Sequence, residues 1–298
     1  MDNLTHSLTG ALLGQAGLKR KTGLAMPALI IGANLPDVDA ACFLWLDGVE
    51  HLAFRRGITH GPIAWLVLPL LLAAALWGFD RWQARRGKRP ERRLPVRFGW
   101  LFTLALIACL THPALDWLNV YGIRLLEPFS SRWFYGDVLF IVDVWLLAIL
   151  GIGTWLSLRR EKRGGEWRTV AQTALGAAVL YIVANGVISW VAREARGASF
   201  AAAIASPRPL AFWSREIIGD AGDGTYFVEG QRVGDCRLLD GQAVNHSRQA
   251  ASFLFWSRTP VMDRAPDGSV ILRDARYYSP LARDRFSVAL PGVRCEPL

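Results

Sequence analysis

Phe98-Gly99-Trp100-Leu101-Phe102-Thr103-Leu104-Ala105-Leu106-Ile107-Ala108-Cys109-Leu110-Thr111-His112-Pro113-Ala114-Leu115-Asp116-Trp117-Leu118-Asn119 is the stretch whose reading decides the fold. A run of that length and polarity predicts a membrane-spanning helix. It closes on a histidine and a carboxylate four residues apart, which a helix places on one face. An imidazole and a carboxylate pointing the same way make half of a divalent-metal site. Ionisable groups at the centre of a membrane helix cost about 2.5–3.5 kcal/mol each on insertion scales, so they call for partners or a task. The rest of the chain is expected to supply the partners.

Working outward, the 298 residues allow two domains, and 52% of them are hydrophobic, with 13 tryptophans. That composition suits a chain that meets lipid. The net charge of +9 is concentrated in short links between apolar runs, a pattern of membrane topology, so no nucleic-acid partner is expected. Gly-rich phosphate loops, CxxC pairs and internal repeats are absent from the sequence. Residues 1–18 are moderately apolar and hold no Lys or Arg, so they lack the basic region of a signal peptide. A run from Leu24 to Leu46 is broken at Pro36, where the helical ladder must unwind or restart. Pro62–Phe79, residues 98–120, Asp137–Leu158 and Thr169–Val191 are the further spanning candidates.

The links Lys19–Lys21, Asp80–Arg97 and Arg159–Arg168 hold sixteen Lys and Arg, against four in Asp47–Gly61 and Tyr121–Gly136. The positive-inside rule therefore puts the first set in the cytoplasm. His6, Asp37, Asp39, His60, His112, Asp116, Asp137 and Asp143 then all fall towards the outer side, at one depth. His6, Asp37, Asp39, His60, His112 and Asp116 are the candidate metal ligands, for zinc or alternatively manganese or iron. Asp37 and Asp39 are also the candidate catalytic carboxylates, one of them accepting a proton from a metal-activated water. Asn119 and Asp143 are expected to support the ligands from behind. Arg55, Arg56 and Arg132 are candidates for an anionic group of the substrate. Blander roles stand beside these: a helix-tying pair for His112 and Asp116, caps for Asp37 and Asp137, an Arg132 partner for Asp143, and surface positions for His51 and His246.

Thr5-His6-Ser7, Leu35-Pro36-Asp37-Val38-Asp39, Arg56-Gly57-Ile58-Thr59-His60 and Leu110-Thr111-His112-Pro113-Ala114-Leu115-Asp116 resemble the YdjM-type family of membrane-bound metal-dependent hydrolases. Leu126-Glu127-Pro128-Phe129-Ser130 and Phe140-Ile141-Val142-Asp143 extend the likeness, which covers about residues 1–150. The resemblance implies a bacterial inner-membrane protein with a metal site and a hydrolase activity. Arg55 and Ala40 stand where many family members have histidine, so this chain carries fewer ligands. The order of histidines and aspartates is also similar to that of zinc phospholipases C.

From Ala192 the character changes. Thr225–Glu229, Ser269–Arg273 and Arg285–Leu290 read as short strands between Gly, Pro and Asp turns. Cys236 and Cys295, alone in that part, are expected to pair in an oxidising compartment, while Cys42 and Cys109 sit in apolar runs as small hydrophobes. The expected fold is mainly α: a polytopic transmembrane helical bundle over residues 1–191, with a small outward-facing, periplasmic β-rich soluble domain over 192–298. The expected function is zinc-type hydrolysis of a phosphoester or related bond in a membrane lipid or envelope-associated substrate. The second reading is a non-catalytic, metal-stabilised membrane protein whose outer domain binds an envelope partner.

Overall fold

A computed structural model describes residues 1–238, 247–280 and 282–297. The chain divides into two compact units. The first comprises Met1–Val38, Arg56–Gly186 and Pro209–Phe212, and the second Asp39–Arg55, Val187–Arg208 and Trp213–Leu298. The long run of the first unit ends at Gly186, and residues Asp39–Arg55 belong to the second unit.

The helices are α1 (Asn3–Gln15), α2 (Ala25–Gly32), α3 (His51–Phe54), α4 (Pro62–Arg85), α5 (Phe98–Trp117), α6 (Val144–Lys162), α7 (Arg168–Gly197) and α8 (Arg248–Trp256). A 3₁₀ stretch covers Leu35–Leu44. The helix α1 starts at Asp2, whose carboxylate accepts from the amides of Leu4 and Thr5 and so satisfies two otherwise orphaned donors. The break expected at Pro36 is present: α2 stops at Gly32 and the 3₁₀ stretch follows, bent from it by 52°. Among the described residues three helices, α4, α5 and α7, are long and apolar enough to cross a membrane, or up to four spans if the bent pair counts as one. Mostly helical architecture with a C-terminal β-sheet region is thus present, with fewer clear spans than the six apolar runs of the sequence. In α6 the last turn already holds Arg159, Arg160 and Lys162, which shortens its apolar part.

Small residues bring the helices of the first unit close. Ala25, Ala28, Leu29 and Ala33 pack with Ala73, Leu101, Leu104 and Ala108, the composition expected of helix seams in lipid. A β-carbon on Gly10 would run into the carbonyl oxygen of Leu29 at 2.5 Å, so α1 lies directly against α2. The connection after α5 holds two sequence-specific surprises. The residues 137–143 are not helical, and Asn119 bridges to Leu139. The cap of α6 is Asp143, which accepts from Trp145 and Leu146 amides, rather than Asp137, which sits at φ 55°.

In the second unit β1 (Ala202–Pro207), β2 (Arg215–Asp220), β3 (Tyr226–Val228) and β4 (Gln231–Val233) form an antiparallel sheet in that order. A pair joins β5 (Cys236–Leu238) to β9 (Cys295–Pro297), and a third sheet has the order β6 (Pro260–Arg264), β7 (Val270–Asp274), β8 (Ser287–Leu290). Ile218, Val233, Val261 and Ala275 form the buried core between them. The strands expected near 226, 270 and 287 are β3, β7 and β8. Cys236 and Cys295 are disulfide-bonded, with Cα atoms 5.5 Å apart, while Cys42 and Cys109 are buried thiols. His246 lies outside the described residues.

Candidate metal centre

Five of the expected ligands meet inside the first unit. His112 comes from the last turns of α5, His6 from α1, His60 from a 3₁₀ turn before α4, and Asp37 from the 3₁₀ stretch after α2. Asp116, one turn beyond His112, completes the cluster. His6, His60, His112 and Asp116 are fully buried, and Asp37 is partly so. Among the described residues two overlapping groups have donor atoms within 4.8 Å of one another: His6, Asp37 and His112, and His60, His112 and Asp116. The Nε2 of His112 is 3.8 Å from Asp37 Oδ1 and 3.6 Å from Asp116 Oδ2. The Nε2 of His60 is 3.6 Å from Asp116 Oδ2, and that of His6 is 3.4 Å from Asp116 Oδ1. The rings of His6 and His112 stack with centroids 3.8 Å apart.

The hydrogen bonds around the cluster aim its lone pairs inward. His112 Nδ1 lies 2.7 Å from the carbonyl oxygen of Ala33. A carbonyl only accepts, so Nδ1 carries the proton and Nε2 keeps its lone pair. His60 Nδ1 is likewise engaged by the Thr59 hydroxyl at 2.9 Å. His112 Nε2 and both ring nitrogens of His6 are buried with no hydrogen-bond partner. Zinc bonded at about 2.0–2.2 Å holds its donors roughly 3.3–3.5 Å apart in a tetrahedral site, close to the spacing found here. The residues present therefore fit a divalent ion.

The charge in the cluster is balanced by Arg56, a buried residue held at φ 56°. Its Nε lies 3.0 Å from Asp116 Oδ2, its Nη2 donates to Asp116 Oδ1 at 3.3 Å, and its Nη1 donates to Asn119 Oδ1 and the Gly122 carbonyl. The α-amino group of Met1 also lies against Asp116 Oδ1. Asn119 is fully buried and accepts from the Tyr121 amide as well, so it fixes the arginine that fixes the carboxylate.

The remaining candidates are not members of either donor group. Asp39, buried in the second unit, is ion-paired with Arg55 at 3.3 Å. Arg132 is exposed and sits over the Phe134 ring. Asp143 caps α6 and accepts from the Tyr181 hydroxyl at 3.0 Å, in place of the arginine partner considered for it. His51 is partly buried, with Nδ1 2.9 Å from the Gly48 carbonyl; burial, more than offsetting that bond, lowers its pKa, as does nearby Arg55.

Sequence reasoning missed one supporting pair. Arg124 and Glu127 are buried and bonded at 2.9 Å, and the Glu127 carbonyl packs so closely on Gly61 that a β-carbon there would collide with it. The glycine after His60 was the available signal, since only glycine tolerates that approach.

The model of a family described as YdjM inner membrane protein matches residues 1–192. The uncharacterized protein YfhP of Bacillus subtilis (strain 168) is 30% identical over 141 residues, which is 45% of this chain and 39% of that protein. The match thus spans about two-fifths of that relative's length. No solved structure matches the chain.

Proposed function

The chain belongs to the YdjM inner membrane protein family, and from that premise we propose that it is a membrane-embedded, metal-dependent hydrolase. Its substrate is a phosphoester or related bond of a lipid or other envelope-associated molecule, met at the outer face of the membrane. One observation carries the reading: buried imidazole nitrogens, on His6 and on His112 Nε2, that no hydrogen bond satisfies and that face carboxylates. A buried polar atom left unpaired costs about 1–3 kcal/mol, a cost that an ion held there removes.

His6, Asp37, His60, His112 and Asp116 would hold the ion, zinc in the first place, with manganese or iron as alternatives. Such an ion supplies a Lewis acid and a water acidified towards neutral pH. The chain's own groups do the rest. Asp37, the more accessible carboxylate of the cluster, is suited to accept the proton of the attacking water. Asp39, the other candidate for that role, has its charge answered by Arg55. Arg56 acts on Asp116 and Asn119, holding a ligand in orientation, so it serves the site as a positioning residue. A site enclosed at membrane depth favours an amphiphilic substrate over a soluble one.

The expected result is hydrolysis of a short-chain phospholipid by the purified full-length protein, abolished by chelation and restored by Zn²⁺ or Mn²⁺. Asp37→Asn should lower the rate by about 10²–10⁴-fold, the usual contribution of a general base. A full ion complement with no hydrolysis across a panel of phosphoesters would instead favour the metal-stabilised, non-catalytic reading. The number of available donors, five side chains where a catalytic zinc needs three, is what keeps that reading in play.

The orientation belongs to the same proposal. The sixteen cationic residues of three links argue that residues from Ala192 onward lie outside the cytoplasm, and the Cys236–Cys295 disulfide supports an oxidising compartment. A reporter fused after Leu298 should be active only in its exported form, and both cysteines should resist alkylation until reduced. Cytoplasmic reporter activity would overturn the outward placement.

A further inference from the structure

An apolar cleft of the first unit that shares no residue with the metal cluster runs along the antiparallel pair α6 and α7. It has a volume of about 820 Å³ and is lined almost wholly by apolar side chains, among them Ile149, Ile152, Leu156 and Ala177. At one end Trp145, Tyr181 and Phe212 close it, with Phe212 5.7 Å from each of the other two rings. At the other end stands Arg160, exposed and without a carboxylate partner among the described residues. From Trp145 to Arg160 a helix rises about 22 Å, more than the roughly 15 Å of one leaflet's hydrocarbon.

We propose that this cleft is a binding site for an anionic phospholipid, one acyl chain lying along α6 and α7 and the phosphate paired with Arg160. Three features select that occupant. Apart from Thr169 and Thr173 the lining between its two ends is apolar, which suits a hydrocarbon chain better than a polar solute. The single cation stands at the mouth, where a headgroup and not a tail would reach it. The aromatic rings close the far end, as a chain terminus requires. Arg160 also belongs to the basic link 159–168, on the side where anionic headgroups attract cations. The inference does not rest on the hydrolase reading, because the cleft shares no residue with the metal cluster.

The test is native mass spectrometry of the full-length protein in detergent, titrated with phosphatidylglycerol or phosphatidylcholine of the same chain length. The wild type should retain phosphatidylglycerol preferentially. Arg160→Gln should weaken that binding by roughly fivefold, the share of one basic residue at a headgroup, and erase the preference. Arg159→Gln is the control: it removes an equal charge from a residue that instead covers the Trp155 ring, and it should leave the preference intact. Ala177→Phe fills the exposed wall of the cleft without entering the core and should reduce binding of both lipids. Equal retention of the two lipids by the wild type, equal losses in the two arginine variants, or undiminished binding in Ala177→Phe would each overturn the proposal.

Discussion

Replacing both His60 and His112 with alanine should reduce the metal affinity of the purified protein by well over about 100-fold, so that it emerges from purification without a bound ion. Losing an outer residue that merely orients a ligand already costs about 10–100-fold, and here two direct donors go. His112 is the donor shared by both groups of candidate ligands, so its removal leaves neither group with three side chains. His60 faces Asp116 from the other side. Elemental analysis of the wild type and the double variant makes the comparison, and unchanged helicity of the variant separates loss of ligands from loss of fold. A double variant that keeps the wild-type ion content would reject the site.

The second large effect lies in the C-terminal region. Asp274 and Arg276 are both buried and are bonded twice, at 2.8 Å and 2.7 Å. Asp274 also accepts from the hydroxyls of Ser257 and Thr259, and the Arg276 guanidinium lies 4.6 Å from the Trp256 ring centre. Asp274→Ala would strand a guanidinium in that aromatic surround, at a cost of about 3–5 kcal/mol. Hydrogen exchange of the β6 and β7 amides in the full-length protein should accelerate accordingly, while Asp274→Ala with Arg276→Met should recover much of the protection. Exchange in the single variant within a fewfold of wild type would refute the assignment. The pH dependence has a fixed sign. Burial alone pushes the Asp274 carboxyl up, but Arg276, Ser257 and Thr259 outweigh it and hold it below the ordinary carboxylate value. The stabilisation is therefore fully present above the unfolded value of about 3.9 and is lost as pH falls through the lower, folded one.

Much of this was legible in the sequence for identifiable reasons. The spacing of His112 and Asp116 puts both on one face of α5 by helix geometry alone. His6, Asp37 and His60 could be gathered with them because the charge pattern of the links led to the expectation that their ends of the apolar runs share one side. Pro36 announced the break after α2. Other features left no such trace. Arg56 reads in the sequence as a candidate for an anionic group of the substrate, and only the fold reveals it buried against Asp116 and Asn119. Asp137 and Asp143 both precede the apolar stretch of α6, and the bridge of Leu139 to Asn119 decides that the later one caps it. The strand β1 was unread because Ala202, Ala203 and Ala205 carry little β preference; its partner β2 supplies the pairing. The helix α8, capped by Ser247, is nine residues long and also went unread.

The bond from His112 to the carbonyl of Ala33 has a consequence for how this protein will answer genetic scanning. A main-chain oxygen is supplied by every amino acid, so no substitution at position 33 deletes it. Ala33 is wholly enclosed, and larger side chains there will register as steric defects. Variant libraries will therefore score the position for volume alone. The group that selects the tautomer of the central imidazole will stay invisible to them, and only a probe of the ring itself, such as its nitrogen chemical shifts, will report the partnership.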